Sequence, residues 1–222
     1  MIYNMDFLIS AMVILLLILW HFLGQKRAED LNNRVFLFFA VIGTADVVAE
    51  FFTNYYITSY NSDMENAAVI VTTIFYLLQA LLPATFIFYI QTLHEQKIIS
   101  AKKMFISGVP TLVLISVILT NPFTEKLFSF DVTAGYVKGP WYLLMYVSAL
   151  GHFAVALLLI LLWRKKFGPQ KEKILLEIFV ISGVGVVLQM FCQSLLMTGF
   201  GMSLGILALF ITINNPNANL DS

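Results

Sequence analysis

The feature that most constrains this chain is a series of apolar runs, each about as long as a membrane is thick. Crossing about 30 Å of hydrocarbon takes roughly 20 helical residues. Lipid offers no hydrogen-bond partners to the backbone, so a segment outside a closed β-barrel crosses it as a helix. Seven runs of this kind follow one another along the 222 residues. The predicted helices, one to seven in order, are residues 5–23, 34–55, 67–93, 104–120, 141–163, 174–195 and 198–213.

The composition agrees with a membrane protein. Only 12% of the residues are charged, against roughly 25% in a soluble domain. The formal net charge of zero argues against a nucleic-acid partner. Cys192 is the single cysteine of the sequence, so an intramolecular disulfide is excluded. We therefore predict an all-α membrane protein, a seven-transmembrane helix bundle surrounded by the lipid of the plasma membrane.

Basic residues are unequally distributed between the predicted loops. All but two of the 13 Lys and Arg residues fall in the loops between helices one and two, three and four, and five and six. The two exceptions, Lys126 and Lys138, lie in the loop between helices four and five. Because Lys and Arg mark cytoplasmic loops, we predict an extracellular N-terminus and a cytoplasmic C-terminus.

The longest interruption between apolar runs, residues 121–142, has the pattern of a β-hairpin. Residues 127–131 and 136–140 are rich in aromatic and β-branched side chains, and the turn-like residues 132–135 separate them. This pattern predicts two short antiparallel strands on the extracellular side, covering a polar cavity. The alternative is an irregular loop that only connects two helices.

Polar side chains inside the predicted helices mark the candidate site. A charged group at the bilayer centre costs about 2.5–3.5 kcal/mol, so such groups face the bundle interior and usually serve a function. Asp46 and Glu50 are four residues apart and share a helix face. The alternative is that these residues only hydrogen-bond neighbouring helices. That is the preferred interpretation for Gln79 alone, whereas the functional one is preferred for the two carboxylates. The predicted ligand-binding residues are Asp46, Glu50, Tyr76, Gln79, Tyr142, Tyr146, His152, Gln189 and Gln193.

The two carboxylates of helix two require a source of positive charge. Counting from the helix ends places His152 at a depth similar to that of Asp46. A protonated His152 is one source, and a cationic group on the ligand is the other. We expect His152 to lie within hydrogen-bonding distance of Asp46 or Glu50, directly or through water.

No catalytic residue, metal ligand or cofactor site is predicted. Residues 201–205 match G-x-S-x-G, but the hydrolase motif needs a strand-turn-helix context, and here it lies in an apolar helix. Gly201 and Gly205 are better interpreted as a small-residue packing face. His94-Glu95 begins like the zinc motif H-E-x-x-H, but Ile98 stands at the second histidine position. We therefore do not expect this chain to be an enzyme.

Two local sequences and the order of helices carry a resemblance to a known class of protein. Asn-Pro-Phe opens residues 121–142, Leu-Phe-Ser-Phe-Asp and Gly-Tyr-Val-Lys-Gly-Pro fill them, and Asn-Asn-Pro to Leu-Asp-Ser ends the chain at 214–222. This layout resembles the seven-helix sensory region that precedes GGDEF diguanylate cyclase or histidine kinase domains in bacteria. Leu220-Asp221-Ser222 looks like the start of the Asp-x-Leu-Thr-Gly junction that opens a GGDEF domain. The GGDEF signature itself is not in the sequence.

The resemblance implies a sensor domain over residues 1–214 and, over 215–222, the start of a linker to a cytoplasmic output domain. We expect a ligand-sensing input module of a bacterial signalling receptor that regulates this output domain, a diguanylate cyclase on the resemblance. A small molecule or peptide would enter from outside, and the full-length protein is expected to be a homodimer. The alternative is a small-solute or proton-coupled transporter that uses Asp46, Glu50 and His152 as a relay.

Overall fold

The computed structural model of the protein describes residues 5–25, 30–95, 101–131, 133–192 and 196–213. These residues are predominantly α-helical, with one small antiparallel sheet of two strands. A single 3-10 turn, Ser62–Met64, precedes the third helix. The elements are α1 (Asp6–Gly24), α2 (Leu31–Thr58), α3 (Glu65–Glu95), α4 (Ala101–Thr124), β1 (Phe128–Asp131), β2 (Gly135–Lys138), α5 (Leu143–Phe191) and α6 (Met197–Thr212).

Four of these helices, α1, α2, α3 and α5, are long and apolar enough to cross a membrane. Their outward faces are apolar as well. Trp20 on α1 is 78% exposed, and Leu162 on α5 is 66% exposed. A helix that is apolar on its outer face as well as its inner one is typical of a membrane span. The prediction of a helical protein suited to a membrane is therefore confirmed at this level.

The α5 segment folds back on itself at Gly168. The backbone there has φ 75° and ψ 163°, a conformation that glycine adopts without strain because it lacks a Cβ. Pro169 follows, and its fixed φ suits the first residue of a new helix. The rings of Phe153 and Phe179 lie 5.5 Å apart, whereas a straight helix would separate these residues by roughly 39 Å. We call residues 143–167 the first arm of α5 and residues 169–191 the second arm.

The prediction that residues 164–173 form a loop is therefore wrong. The chain is helical on both sides of Gly168, and the reversal takes a single residue. On the second arm, Lys173 and Glu177 form an exposed ion pair at 3.7 Å.

Several other helix ends lie a few residues from the predicted ones. The α2 helix begins at Leu31 instead of residue 34, because the Asp30 side chain accepts a hydrogen bond from the Asn33 amide at 2.7 Å, as an N-cap does. The α4 helix continues past residue 120 to Thr124. Asn121 is thus the last-turn residue of a helix rather than the first residue of a loop.

The prediction of two short antiparallel strands is confirmed, and the structure supplies their register. Phe128 pairs with Lys138, and Asp131 pairs with Gly135. At the turn, the hydroxyl of Thr133 and the backbone amides of Thr133 and Ala134 donate to the Asp131 carboxylate. These hydrogen bonds hold the pKa of Asp131 below its ordinary value.

The buried side chain of Asn121 attaches the hairpin to the end of α4. Its Nδ2 donates to the carbonyl of Phe128 at 2.9 Å. Its Oδ1 accepts from the amide of Leu127 at 2.7 Å. Because both partners belong to or adjoin β1, these bonds set the position of the first strand relative to the helix bundle.

Aromatic contacts show which connections share an end of the bundle. Tyr60, between α2 and α3, stacks on Phe130 of the hairpin at 5.2 Å. At the end of α3, His94 stacks on Trp163 of the first arm of α5 at 3.9 Å. The hairpin and the α2–α3 connection therefore lie at one end, which we call the hairpin end.

The apolar core is divided in two. The larger cluster lies between α1, α2, α3, α5 and α6 and includes the fully buried rings of Phe36 and Tyr89. The smaller cluster lies beneath the hairpin and includes Phe75, Tyr76 and Phe128. The candidate site draws lining residues from both regions.

Candidate functional site: a polar cavity beneath the hairpin

A cavity of about 170 Å³ lies inside the bundle below the hairpin. Its walls come from α2, α3, α4, both arms of α5, the beginning of α6 and strand β2. Along α2 the lining residues run from Asp46 to Ile57, a distance of roughly 16 Å at the helical rise. The fold thus creates an elongated space with the hairpin at one end.

The deep part of the cavity holds two carboxylates whose oxygens are mostly without hydrogen-bond partners. Asp46 is 3% exposed and Glu50 is 1% exposed. One oxygen of Asp46 and both oxygens of Glu50 make no hydrogen bond to any described residue. The side-chain amide of Gln189 is the neighbour of Glu50, although no hydrogen bond of good geometry joins the two. Buried polar atoms are normally satisfied, so several unsatisfied oxygens in one place call for an explanation.

Close packing of α6 holds the Glu50 side chain against the cavity. A Cβ added to Gly199 would lie 2.9 Å from Oε2 of Glu50 and 3.2 Å from Cγ2 of Val47. The absence of a side chain at Gly199 therefore makes room for the carboxylate. Any movement of α6 at this point changes the surroundings of Glu50.

The hairpin end of the cavity is lined by tyrosines. The hydroxyls of Tyr76 on α3 and Tyr136 on β2 are hydrogen-bonded at 2.5 Å. The ring of Tyr142 meets that of Tyr76 edge-on at 6.3 Å and that of Tyr146 at 5.5 Å. The Nζ of Lys138 lies over the Tyr142 ring, 4.5 Å from its centre, and partial burial lowers the pKa of Lys138. The hairpin therefore contributes both an aromatic wall and a cation.

Most of the predicted ligand-binding residues come together here. Seven of the nine line the cavity, and their role in binding stays a prediction. They are Asp46, Glu50, Tyr76, Gln79, Tyr142, Tyr146 and Gln189. Gln193 lies outside the described residues.

His152 does not contact the two carboxylates, so the expected pairing is wrong. Its Nε2 is hydrogen-bonded to the hydroxyl of Thr111 on α4 at 2.8 Å, and its Nδ1 lies 2.7 Å from the Ser148 carbonyl. It lines a separate, smaller cavity of about 20 Å³, which shares Ser182 and three other lining residues with the main one. The His152 side chain is directed towards α4 instead of α2.

Gln189 has a structural role that its position in the sequence does not reveal. Its Oε1 accepts a hydrogen bond from the backbone amide of Thr198 at 2.7 Å. The first amides of a helix lack partners within the helix, so Gln189 acts as a cap for α6. The same side chain thus connects the cavity wall to the beginning of the last helix.

Sequence reasoning missed several lining residues. Tyr136 and Lys138 are two apart on a strand and therefore face the same side, which would have assigned both to the covered cavity. Ser182 precedes Gln189 by seven residues and so shares its helix face. Thr53 and Thr198 also line the cavity, and no pattern in the sequence distinguishes them from other threonines.

The donor set does not resemble a metal centre. The described residues contain no group of three or more His, Cys, Asp and Glu side chains that could hold an ion. Of the described lining residues, Lys138 is the one cation, against two carboxyl groups. The site is thus a polar cavity inside a helical protein suited to a membrane. No protein-family model matches the chain, and the curated proteins contain no significant match to it.

Proposed function

We propose that this protein is a membrane-embedded ligand-sensing module that binds a small molecule in the cavity beneath the hairpin. The observation that carries the proposal is the pair of buried carboxylates at the deep end of that cavity, three of whose oxygens make no hydrogen bond to a described residue. Intramembrane carboxyl groups are costly and usually functional. A purely structural role would satisfy these oxygens on neighbouring helices, whereas three of the four make no hydrogen bond to a described residue.

The proposed topology has seven spans, counting α4, α6 and the two arms of α5 separately. The hairpin end faces the outside, and the C-terminus lies in the cytoplasm. The distribution of Lys and Arg supports this orientation, as does the contact between Tyr60 and Phe130, which puts the two loops that are poor in basic residues at the same end.

The signal would pass from the cavity to α6. Glu50 packs against Gly199, and Gln189 caps the beginning of the same helix. A ligand that engages Glu50 or Gln189 would favour one arrangement of α6 over another, and this difference in affinity is what drives a conformational change. The resemblance to bacterial sensory regions suggests the receiver, a cytoplasmic output domain of the diguanylate cyclase type.

Cysteine labelling of intact cells tests both the orientation and the access route, in a Cys192→Ser background. Asp63→Cys, at the hairpin end, should react with a small membrane-impermeant thiosulfonate, whereas Gln170→Cys, beside the α5 reversal, should not. Thr53→Cys lines the cavity and should also react from outside. Thr72→Cys is the matched control, because Thr72 is fully buried and does not line the cavity.

The reverse pattern at residues 63 and 170 would overturn the orientation. Labelling of residue 72 as fast as residue 53 would mean that the helices open generally rather than through a cavity. If residue 53 reacts only from the cytoplasmic side, an extracellular ligand site is excluded.

The rival proposal is a transporter with a carboxylate–histidine relay. It requires contact between His152 and the two carboxylates, which the described residues do not make. Both ring nitrogens of His152 face hydrogen-bond partners away from Asp46 and Glu50. A relay through these three residues would need a rearrangement of the first arm of α5. The sensor is therefore the better-supported function.

A further inference from the structure

The chemistry of the cavity narrows the class of ligand, on the condition that the cavity is a ligand site as proposed above. The deep end carries two carboxyl groups, and the one cation among the described lining residues lies on the hairpin. Asp46 is roughly 16 Å from the hairpin end of the lining along α2. Lys138 is also engaged with the face of Tyr142. A positive charge delivered by the ligand would therefore meet carboxylate oxygens that no described residue satisfies.

Size and wall chemistry favour an organic cation over a bare metal ion. The volume of about 170 Å³ is well above that of one ion but below the roughly 300–1,000 Å³ of sites for drug-sized ligands. The tyrosine rings above the carboxylates offer faces that attract ammonium groups. The sequence left a peptide as one of two possible kinds of ligand. A peptide is too large for this cavity unless the hairpin moves away.

We infer that the ligand of this cavity is a small organic amine, bound as its ammonium ion by Asp46 and Glu50. The ammonium group donates hydrogen bonds to the unsatisfied carboxylate oxygens of both residues. The carbon chain of the ligand extends towards Tyr76 and Tyr142, and the hairpin closes over it through Tyr136 and Lys138. Ammonium binding replaces missing hydrogen bonds and supplies the missing charge at the same time.

The first experiment compares three four-carbon probes that differ chiefly in charge: butylamine, butan-1-ol and butyrate. Each is added to the purified full-length protein in detergent, and binding is measured by isothermal titration and by the shift in melting temperature. Butylamine should bind and raise the melting temperature at neutral pH. Butan-1-ol and butyrate should do neither.

Matched variants locate the binding. Asp46→Asn and Glu50→Gln should each weaken butylamine binding by roughly 30-fold or more, since removing one partner of a buried charge pair has effects of that order. Glu177→Gln is the control, because Glu177 is an exposed carboxylate that pairs with Lys173 away from the cavity. The butylamine affinity of this control variant should equal that of the unmodified protein. Retained cooperative melting shows that each variant is folded.

The outcomes separate the ligand class from the proposed function. No binding of butylamine, or equal binding by the Glu50→Gln variant, overturns the amine proposal. Binding of butyrate or butan-1-ol in its place, lost on changing cavity residues, overturns the amine class while leaving a ligand-sensing cavity.

A second experiment tests transport of an amine. Radiolabelled putrescine, a four-carbon diamine whose two charges hinder passage through lipid, is added to proteoliposomes. Binding at no more than one molecule per protein, without accumulation in the lumen, is expected for a sensor. Accumulation above protein-free liposomes would support amine recognition but replace the sensor with a transporter.

Discussion

Replacing Gly139 with alanine is expected to release the hairpin from the end of α4. A Cβ at this position would lie 2.2 Å from the carbonyl oxygen of Lys126 and 2.8 Å from that of Glu125. Both are backbone atoms, so no side-chain rotation relieves the overlap. The amide of Gly139 also donates to Leu127 at 2.8 Å, and this hydrogen bond would be distorted.

Gly139→Ala is expected to destabilise the hairpin by about 1–3 kcal/mol or more, the cost of overpacking at a rigid site. Backbone amides of β1 and β2 should then exchange with solvent roughly ten- to a hundredfold faster, since each 1.4 kcal/mol is a factor of ten. Hydrogen–deuterium exchange followed by mass spectrometry measures this directly. The melting temperature of the helical bundle should change little, because the helices bury the bulk of the apolar surface.

The matched control is Gly151→Ala, on the first arm of α5. No atom lies within 4 Å of a Cβ placed there, and alanine favours a helix over glycine by about 1 kcal/mol. Hairpin exchange should be unchanged in this variant. Equal protection of the hairpin in Gly139→Ala would show that the hairpin is not held by the backbone contacts seen here.

The second large effect is on the stability of the ligand-free protein. Asp46→Asn and Glu50→Gln are each expected to raise the free energy of unfolding by about 1–3 kcal/mol, because a neutral amide costs less to bury than a carboxylate without a charge partner. Replacing buried charge often stabilises a protein for this reason. Thermal melting in detergent without any amine present measures the change. Glu177→Gln, on the exposed surface, should shift the melting temperature by much less.

The sign of this change in stability distinguishes a functional role of the two carboxylates from a purely structural one. If the carboxylates mainly held helices together, each substitution would lower stability by roughly 0.6 kcal/mol, the average for interhelical contacts in membranes. The pairing of His152 with Asp46 or Glu50 that was expected from the sequence would instead make Asp46→Asn destabilising, because His152 would lose its partner. Because His152 bonds to Thr111, that reason no longer applies, and a gain is expected.

Local patterns predicted those features that depend on neighbours in sequence. The helices follow from apolar runs, and the two antiparallel strands follow from short aromatic and β-branched segments around a turn. Asp46 and Glu50 share a helix face because they are four residues apart. The high energy of a carboxyl group in lipid then requires that face to point inward.

Features that depend on the relative rotation of helices could not be predicted. The depth of His152 follows from residue counting, but its direction depends on how the first arm of α5 is rotated about its own axis. Packing against α4 through Thr111 decides that rotation. The position of Gln189 at the cap of α6 is of the same kind, because it needs two helices to meet at a particular height.

The sequence by itself determined that this chain is helical, suited to a membrane, and bears a hairpin and a face with two carboxylates. Each of these rests on the period of side chains along one element or on the cost of exposing a group to lipid. Only the tertiary structure decided that the hairpin covers the cavity with Tyr136 and Lys138, and that no described partner satisfies Glu50. Those facts arise from contacts between elements far apart in the chain, where packing, and not periodicity, selects the neighbours.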